Sequence, residues 1–277
     1  MVYVNYISTK PGAGSGLWVV VSPDRNTADT LFRILQANRG QPLKVPKTDE
    51  DGAASTLTAQ RIDRLSPKFW AVDLQEGQGS IASLAAATSS NDSDSAFGPI
   101  AGKIVVYRMG DCPSPGLIPL PAVCDIDHDF ISGYSFFIRR RGYPNTYWYC
   151  CGNLICLSTT KRSRFIISIA DAKEDQKLPA AKTPMLDQDH VNIEWIDRGA
   201  SRIIGLEDSE WLSVKARSPK SFRFSDFRGR FYLGNEGTFD HPDPARIGTT
   251  LDVVCWSSPG VFQDTFELCY GIAPRDE

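Results

Sequence analysis

The sequence predicts an all-β protein built as two tandem domains, each formed by three hairpin repeats. Three observations lead to this prediction. Short runs of β-branched and aromatic residues, bounded by turn-forming residues, recur along the chain, and this pattern is typical of strands. The 22 glycines and 18 prolines are spread over the whole length, which favours many short elements joined by turns. A hairpin motif, described below, is repeated six times.

Strand signals outnumber helix signals throughout the chain. The clearest strand runs are residues 103–107, 134–138, 165–169 and 251–254. The best helix candidate covers residues 26–37, where Asp24 and Asn26 are suitable capping residues. Strand-like runs at 19–21 and 32–34 oppose it, so the sequence leaves this segment open.

The repeated motif is a strand that ends on a small hydroxyl residue, a polar turn, and a second strand that opens on Phe-x-apolar. The Phe and the residue two positions later point to the same side of a strand, so both can enter a core. A single hairpin cannot bury enough surface, and the copies must therefore pack against one another. The six phenylalanines that open the second strands are Phe32, Phe69, Phe97, Phe165, Phe222 and Phe266.

A proline-rich segment divides the six copies into two sets of three. It lies in the widest gap between motif phenylalanines, from Phe97 to Phe165, and residues 112–121 contain four prolines. Such a composition is typical of a linker. We therefore expect an N-terminal domain at residues 1–111, a linker at 112–124 and a C-terminal domain at 125–277.

The motif of a strand ending in Leu-Ser, a turn and Phe-x-Ile resembles the β-trefoil superfamily, and its fascin-like branch in particular. The resemblance is clearest over residues 130–270. It implies two tandem β-trefoil-like barrels of three hairpin repeats each, lectin-like in architecture, with ligands bound by loops at the barrel ends. Ricin-type trefoil lectins carry Gln-x-Trp in each repeat, and this chain has no such sequence, so sugar binding of the ricin type is not implied.

Composition is that of a globular protein, with 42% hydrophobic and 23% charged residues. No apolar run approaches the roughly 18 residues that span a bilayer, and residues 1–6 lack the regions of a signal peptide. The chain has seven cysteines, and an odd number without a signal is typical of reduced thiols. We therefore expect a cytoplasmic location and no membrane partner.

The net charge of −3 is unevenly distributed. Residues 126–230 carry 17 basic and 13 acidic side chains, whereas residues 231–277 carry two basic and eight acidic ones. Neither region reaches the strongly basic composition of a nucleic-acid-binding domain. We therefore expect no nucleic-acid partner.

All three histidines follow an aspartate, in the pairs Asp127-His128, Asp189-His190 and Asp240-His241. A carboxylate beside an imidazole can orient its tautomer, raise its pKa or bind a metal with it, which makes these six residues catalytic candidates. Aspartate also starts turns, and each pair borders a predicted strand. The pairs lie at unequal distances from the motif phenylalanines, which favours turn chemistry. No EF-hand or zinc-finger spacing is present, and we expect neither a metal nor a cofactor.

A basic and aromatic run follows the strand at residues 134–138. Four aromatic side chains within residues 143–149 cannot all point inward on an alternating strand, and three arginines precede them at 139–141. We therefore expect a ligand-binding surface here. Its candidate residues are Arg140, Tyr143, Tyr147 and Trp148.

Three functions are compatible with these features. The first is a non-catalytic, lectin-like binding protein whose barrel-end loops hold a carbohydrate, a protein or a small molecule. The second is an enzyme that uses Asp–His acid–base chemistry on a small apolar metabolite in a pocket between the domains. The third is a fascin-like cytoskeletal cross-linker, although two barrels present fewer surfaces than the four that fascins carry. The lack of a recognisable catalytic motif favours the first.

Overall fold

The computed structural model describes residues 2–9, 16–45, 55–75, 81, 84, 87–88, 96–109, 129–170, 183–197, 199–207, 210–216, 219–236, 251–257 and 265–270. The chain divides into two compact units, Met1–Asp129 with Lys182–Pro184, and Phe130–Ala181 with Met185–Glu277. We refer to them as the first and second units. The predicted linker at 112–124 lies outside the described residues. No helix within the described ranges is both long and apolar enough to cross a membrane.

The first unit is a mixed sheet with a helix beside it. Its strands are β1 (Tyr3–Thr9), β2 (Gly16–Ser22), β3 (Leu43–Val45), β4 (Ser55–Leu57), β5 (Ala59–Ser66), β6 (Phe69–Leu74) and β7 (Val105–Arg108). Five of them form one sheet in the order β5–β6–β1–β2–β7, in which β1 and β6 run parallel and the other neighbours run antiparallel. Strands β3 and β4 form a separate ribbon. A short 3₁₀ turn covers Gly98–Ile100.

Helix α1 (Arg25–Ala37) occupies the segment that the sequence left open. Asp24 caps its start, because the Thr27 backbone N–H donates to Asp24 Oδ1 at 2.7 Å. Phe32 and Leu35 are buried on one face, at the spacing with which a helix buries a stripe against a sheet. The cap and this spacing outweigh the strand propensity of residues 32–34. A helix therefore occurs where the second strand of the first hairpin copy was expected.

The second unit is a twelve-stranded antiparallel sheet. Its strands are β8 (Tyr134–Arg140), β9 (Tyr147–Cys151), β10 (Leu154–Ser158), β11 (Phe165–Ile169), β12 (His190–Asp197), β13 (Ala200–Ile203), β14 (Gly205–Leu206), β15 (Leu212–Ser213), β16 (Phe222–Arg223), β17 (Phe231–Glu236), β18 (Leu251–Trp256) and β19 (Phe266–Cys269). Strand β8 pairs with β9, β11 and β19. The last of these strands thus returns to the first, and the sheet is nearly closed. The expectation that strands dominate the chain is confirmed.

Three motif phenylalanines and two motif serines of the second unit have definite structural roles. The motif phenylalanines that open β11, β16 and β19 are all buried: Phe165, Phe222 and Phe266. The hydroxyl residue before the turn is an acceptor in two copies, because Lys161 N donates to Ser158 Oγ at 3.0 Å and Lys215 N donates to Ser213 Oγ at 3.1 Å. A serine at the strand end therefore starts the turn by satisfying a backbone donor.

Candidate functional site

Of the three Asp–His pairs, Asp189-His190 lies within the described residues, in a turn at the start of β12. Asp189 Oδ2 accepts a hydrogen bond from Leu186 N at 2.7 Å, which closes the turn before the strand. His190 is exposed, and its carbonyl accepts from Ala170 N at 2.8 Å. The other four candidates lie outside the described residues: Asp127, His128, Asp240 and His241.

The cysteines of the second unit are thiols packed as small apolar residues. Burial raises the pKa of Cys150 and of Cys156 to about 12, so both remain protonated at neutral pH. Among the described residues, no group of three or more His, Cys, Asp and Glu side chains is placed to hold a metal ion.

Residues 130–170 carry six basic side chains and no acidic one. They lie at the end of β8, in the loop to β9, and in the connection from β10 to β11. Four aromatic residues of β8, of β9 and of the loop between them lie among them. We call this set the basic–aromatic surface, and its members are Arg139, Arg140, Arg141, Lys161, Arg162, Arg164, Phe137, Tyr143, Tyr147 and Tyr149.

The loop between β8 and β9 presents the first stacked pair of this surface. Arg140 Cζ lies 4.2 Å from the ring centroid of Tyr143. Two backbone hydrogen bonds fix the loop, since Tyr143 N donates to Arg140 O (3.1 Å) and Thr146 N donates to Tyr143 O (3.0 Å). Gly142 takes the left-handed conformation that the first turn requires, with φ +81°. Tyr143 is 53% exposed, so a loop of defined shape offers its ring to solvent.

A second group of stacked arginines surrounds Phe137 on β8. The guanidinium carbons of Arg162 and Arg164 lie 4.4 and 5.0 Å from the Phe137 ring centroid. Arg162 is also 5.4 Å from the ring of Tyr147, which pairs across the strands with Arg139. Stacking restricts the rotamers of these long side chains, so the guanidinium groups are held in place.

Ser163 determines which way the two arginines point. Its backbone N–H donates to Trp148 O at 3.0 Å, and its Oγ accepts from Cys150 N at 3.0 Å. These bonds hold Ser163 against β9 with its side chain inward. Because side chains alternate along an extended segment, Arg162 and Arg164 both project to the opposite side. The position of both cations thus follows from one buried serine.

One acidic residue of a neighbouring strand joins this surface. Glu267 on β19 forms an ion pair with Arg139, with Nη2 to Oε1 at 2.6 Å. Arg139 also forms a hydrogen bond with the Tyr147 side chain. Burial lowers the pKa of Arg139, but the contacts with Glu267 and Tyr147 oppose this effect, and the pKa lies above its usual value. Arg139 therefore remains charged.

Trp148 lies in the core and not on the surface. Its side chain is fully buried, and the rings of Phe231 and Phe266 lie 5.1 and 5.4 Å away. On β9 the flanking Tyr147 and Tyr149 point to the other face of the sheet. A fully buried ring cannot contact a ligand at the surface. The structure therefore brings together the predicted Arg140 and Tyr143, places Tyr147 beside the Phe137 group, and separates Trp148 from both.

Phe137, Arg162 and Arg164 are residues that the sequence prediction did not select. Phe137 and Arg162 are brought together by strand pairing, which the sequence alone does not specify. A usable signal was nevertheless present, because residues 161–164 read Lys-Arg-Ser-Arg directly before the motif phenylalanine Phe165. A charge count over residues 130–170 would have identified this stretch, with six basic and no acidic side chains.

No family model and no curated protein matches the chain. Among solved structures, it is similar to the binding domain of botulinum neurotoxin DC in complex with rat synaptotagmin II, at 12% identity and a TM-score of 0.33, over 48% of this chain and 40% of that chain. It is also similar to a receptor-binding domain, at 10% identity and a TM-score of 0.33, over 98% of this chain and 93% of that chain. These TM-scores describe a loose likeness in fold.

Proposed function

We propose that this protein is a non-catalytic binding protein that uses the basic–aromatic surface of its second unit to bind an acidic segment of a protein partner. The observation that carries the proposal is the charge of residues 130–170, which hold six basic side chains and no acidic one. The same stretch of chain includes an exposed tyrosine and stacked arginines. Their combination provides both charge attraction and aromatic contact area.

The residue types favour a protein partner. Tyrosine and arginine are enriched where binding energy is concentrated in protein interfaces, because each offers a large contact area and a polar group. Tyr143 presents such a ring on a fixed loop, and Arg140 covers it with a guanidinium group at 4.2 Å. A preformed arrangement lowers the conformational entropy that binding would otherwise cost. The local excess of positive charge also increases the rate at which an acidic partner arrives.

The second unit also supports a finer description of its fold. We infer that it is a β-trefoil-like barrel, since β19 returns to β8 and three motif phenylalanines open strands at separate places in the sheet. In such a barrel the loop after β8 is a barrel-end loop. The predicted binding residues Arg140 and Tyr143 would then lie where the resemblance expects ligands.

The proposal is tested by fluorescence anisotropy with a labelled octaglutamate peptide, and an octalysine peptide serves as the charge control. We expect binding of octaglutamate that weakens as salt is raised, because exposed charges are screened. Arg140→Gln should weaken it about fivefold, the effect of about 1 kcal/mol at an exposed ion pair. Tyr143→Ala should weaken it as well.

Tyr107 provides the matched control, because it is a 50% exposed tyrosine in the first unit. Tyr107→Ala should bind octaglutamate as the wild type does. If octaglutamate and octalysine bind equally, or if Tyr107→Ala and Tyr143→Ala weaken binding to the same degree, the proposed surface is not the binding site.

Carbohydrate binding is the second candidate, favoured by the 53% exposure of Tyr143 on its fixed loop. An exposed aromatic ring can stack on the apolar face of a sugar. A glycan array probed with the wild type and with Tyr143→Ala distinguishes the two. A glycan signal that disappears in Tyr143→Ala, together with no octaglutamate binding, would assign the surface to sugars.

A further inference from the structure

We propose that strand β13 of the second unit is a docking edge, to which an extended segment of a protein partner adds as a further antiparallel strand with an acidic side chain opposite Arg202. This edge is separate from the basic–aromatic surface, and the inference does not depend on the function proposed above. All four residues of β13 (Ala200–Ile203) are exposed, and Ile203 is 41% exposed. The strand lies at one end of the sheet order, and among the described strands it pairs with β12 alone.

The first argument is the direction of the backbone groups of β13. Antiparallel neighbours alternate between pairs that exchange hydrogen bonds and pairs that do not. Ile204 N donates to Ile193 O at 2.8 Å, so this pair is a bonded one. Two positions back along the register, Arg202 also bonds to β12, whereas Ser201 and Ile203 alternate with it. The backbone N–H and C=O groups of Ser201 and Ile203 therefore point away from β12.

The other side of β12 supports the same assignment. Ile196 lies opposite Ser201, and its N–H donates to Arg164 O, before β11, at 3.4 Å. Ile196 thus directs its backbone away from β13, as a member of a non-bonded pair does. Two donors and two acceptors of β13 are therefore directed to the open side of the hairpin. An edge of this kind is a template for strand addition, which is a recurrent mode of peptide recognition.

The second argument identifies the occupant as a different protein segment and not a second copy of this chain. A copy that used all four outward groups would pair Ser201 of one chain with Ile203 of the other, about a two-fold axis. Arg202 of each chain would then lie directly opposite Arg202 of the other, in a non-bonded pair, where side chains are closest. Like charges directly opposite each other are destabilising. Arg202 therefore opposes self-pairing, as charged residues on edge strands do.

The third argument is the chemistry of the two faces of this edge. Arg202 projects to the face of Trp195, and its guanidinium carbon lies 5.9 Å from the Trp195 ring centroid. An acidic residue opposite Arg202 in the added strand would form a cross-strand ion pair on this face. The other face presents Ile203 and Ser201, whose Oγ donates to Glu194 Oε2 at 2.5 Å. The fitting segment therefore has an apolar β-branched residue opposite Ile203, then the acid, then a hydroxyl residue opposite Ser201.

The test uses a fluorescently labelled pentapeptide, Thr-Val-Glu-Thr-Val, whose central three residues have this order. Two derivatives each carry one backbone N-methyl group, either on the valine before the glutamate or on the glutamate itself. Fluorescence anisotropy measures their binding to the full chain. Methylation of the valine should weaken binding about tenfold, because this N–H faces Ile203 and one edge hydrogen bond is lost. Methylation of the glutamate should leave binding unchanged, since its N–H points away from β13.

Ile203→Pro is the corresponding change in the protein. Proline is accepted on an edge strand where the N–H faces solvent, so the hairpin should be retained while one edge donor is lost. This variant should bind the pentapeptide about tenfold more weakly. It should bind octaglutamate as the wild type does, which separates this inference from the proposed function. Arg202→Glu should reverse the charge preference and bind Thr-Val-Lys-Thr-Val more tightly than the glutamate peptide.

Tyr143→Ala is the control for the basic–aromatic surface, and it should bind the pentapeptide as the wild type does. No binding of the pentapeptide, equal affinities of the two methylated peptides, or an equal loss in Tyr143→Ala and Ile203→Pro would overturn the proposal. A dimer in sedimentation that Ile203→Pro dissociates would assign the edge to a second copy and would overturn it too. The methylated peptides leave the protein unchanged, so they decide the outcome even where Ile203→Pro does not fold.

Discussion

Replacing Trp148 with alanine should destabilise the second unit by about 3–5 kcal/mol, the usual range for truncating a buried tryptophan. The indole is fully buried, and a side chain of this size removes about 200 Å² from water, which corresponds to about 5 kcal/mol. Trp148→Phe should cost less than Trp148→Ala. Its Nε1 is buried with no hydrogen-bond partner among the described residues, and phenylalanine removes that donor while keeping a ring.

Urea unfolding followed by far-UV circular dichroism measures this loss of free energy. A loss of this size should also lower the melting temperature by about 10 °C. Tyr143→Ala is the control, because truncating an exposed loop residue should change the free energy of unfolding by less than about 0.5 kcal/mol. A loss below about 1 kcal/mol in Trp148→Ala would refute the assignment of this ring to the core.

Three further predictions concern packing, a buried ion pair and thiol reactivity. Gly234→Ala should cost about 1–3 kcal/mol in urea unfolding, because the new Cβ would lie 2.7 Å from Cys255 Sγ, and adding Cys255→Ala should restore most of it. Arg64→Leu should cost about 3–5 kcal/mol, because the buried Asp29 loses the Arg64 cation that lies 2.8 Å away and keeps only the partly exposed Arg25, at 3.2 Å. Burial raises the pKa of Asp29 above 3.8, so its protonation stabilises the folded state. The free energy of unfolding that Arg64→Leu loses should therefore be smaller at pH 4 than at pH 7. An equal loss at both pH values would contradict this reasoning. Cys156 should react with Ellman's reagent much more slowly in the folded chain than in urea, and equal rates would contradict its burial.

The strands could be predicted well because their signal is local. The run at 134–138 lies within β8, and the runs at 165–169 and 251–254 correspond to β11 and to the start of β18. Each is a series of β-branched or aromatic residues bounded by turn residues. The helix could not be separated from strands by propensity alone. Its Asp24 cap and the burial of one face decided the outcome, and burial depends on the tertiary fold.

The candidate site could be predicted only in part, because it combines one local loop with contacts between strands. Arg140 and Tyr143 are close in sequence, and a turn brings them to 4.2 Å. Arg162 meets Phe137 through the pairing of β8 with β9 and β11, which a sequence pattern does not specify. The sequence prediction included the buried Trp148 in the ligand-binding surface for a related reason. Alternation shows that two neighbours face opposite sides, but it does not identify which side is the core.

The central claim is that the basic–aromatic surface of the second unit binds an acidic partner. Hydrogen exchange of the full chain, measured by mass spectrometry with and without saturating octaglutamate, tests this claim most directly. The predicted result is slower amide exchange within residues 134–164, above all in the loop at 141–146, and unchanged exchange in helix α1. Slower exchange confined to the first unit, or peptide binding that leaves residues 134–164 unchanged, would contradict it.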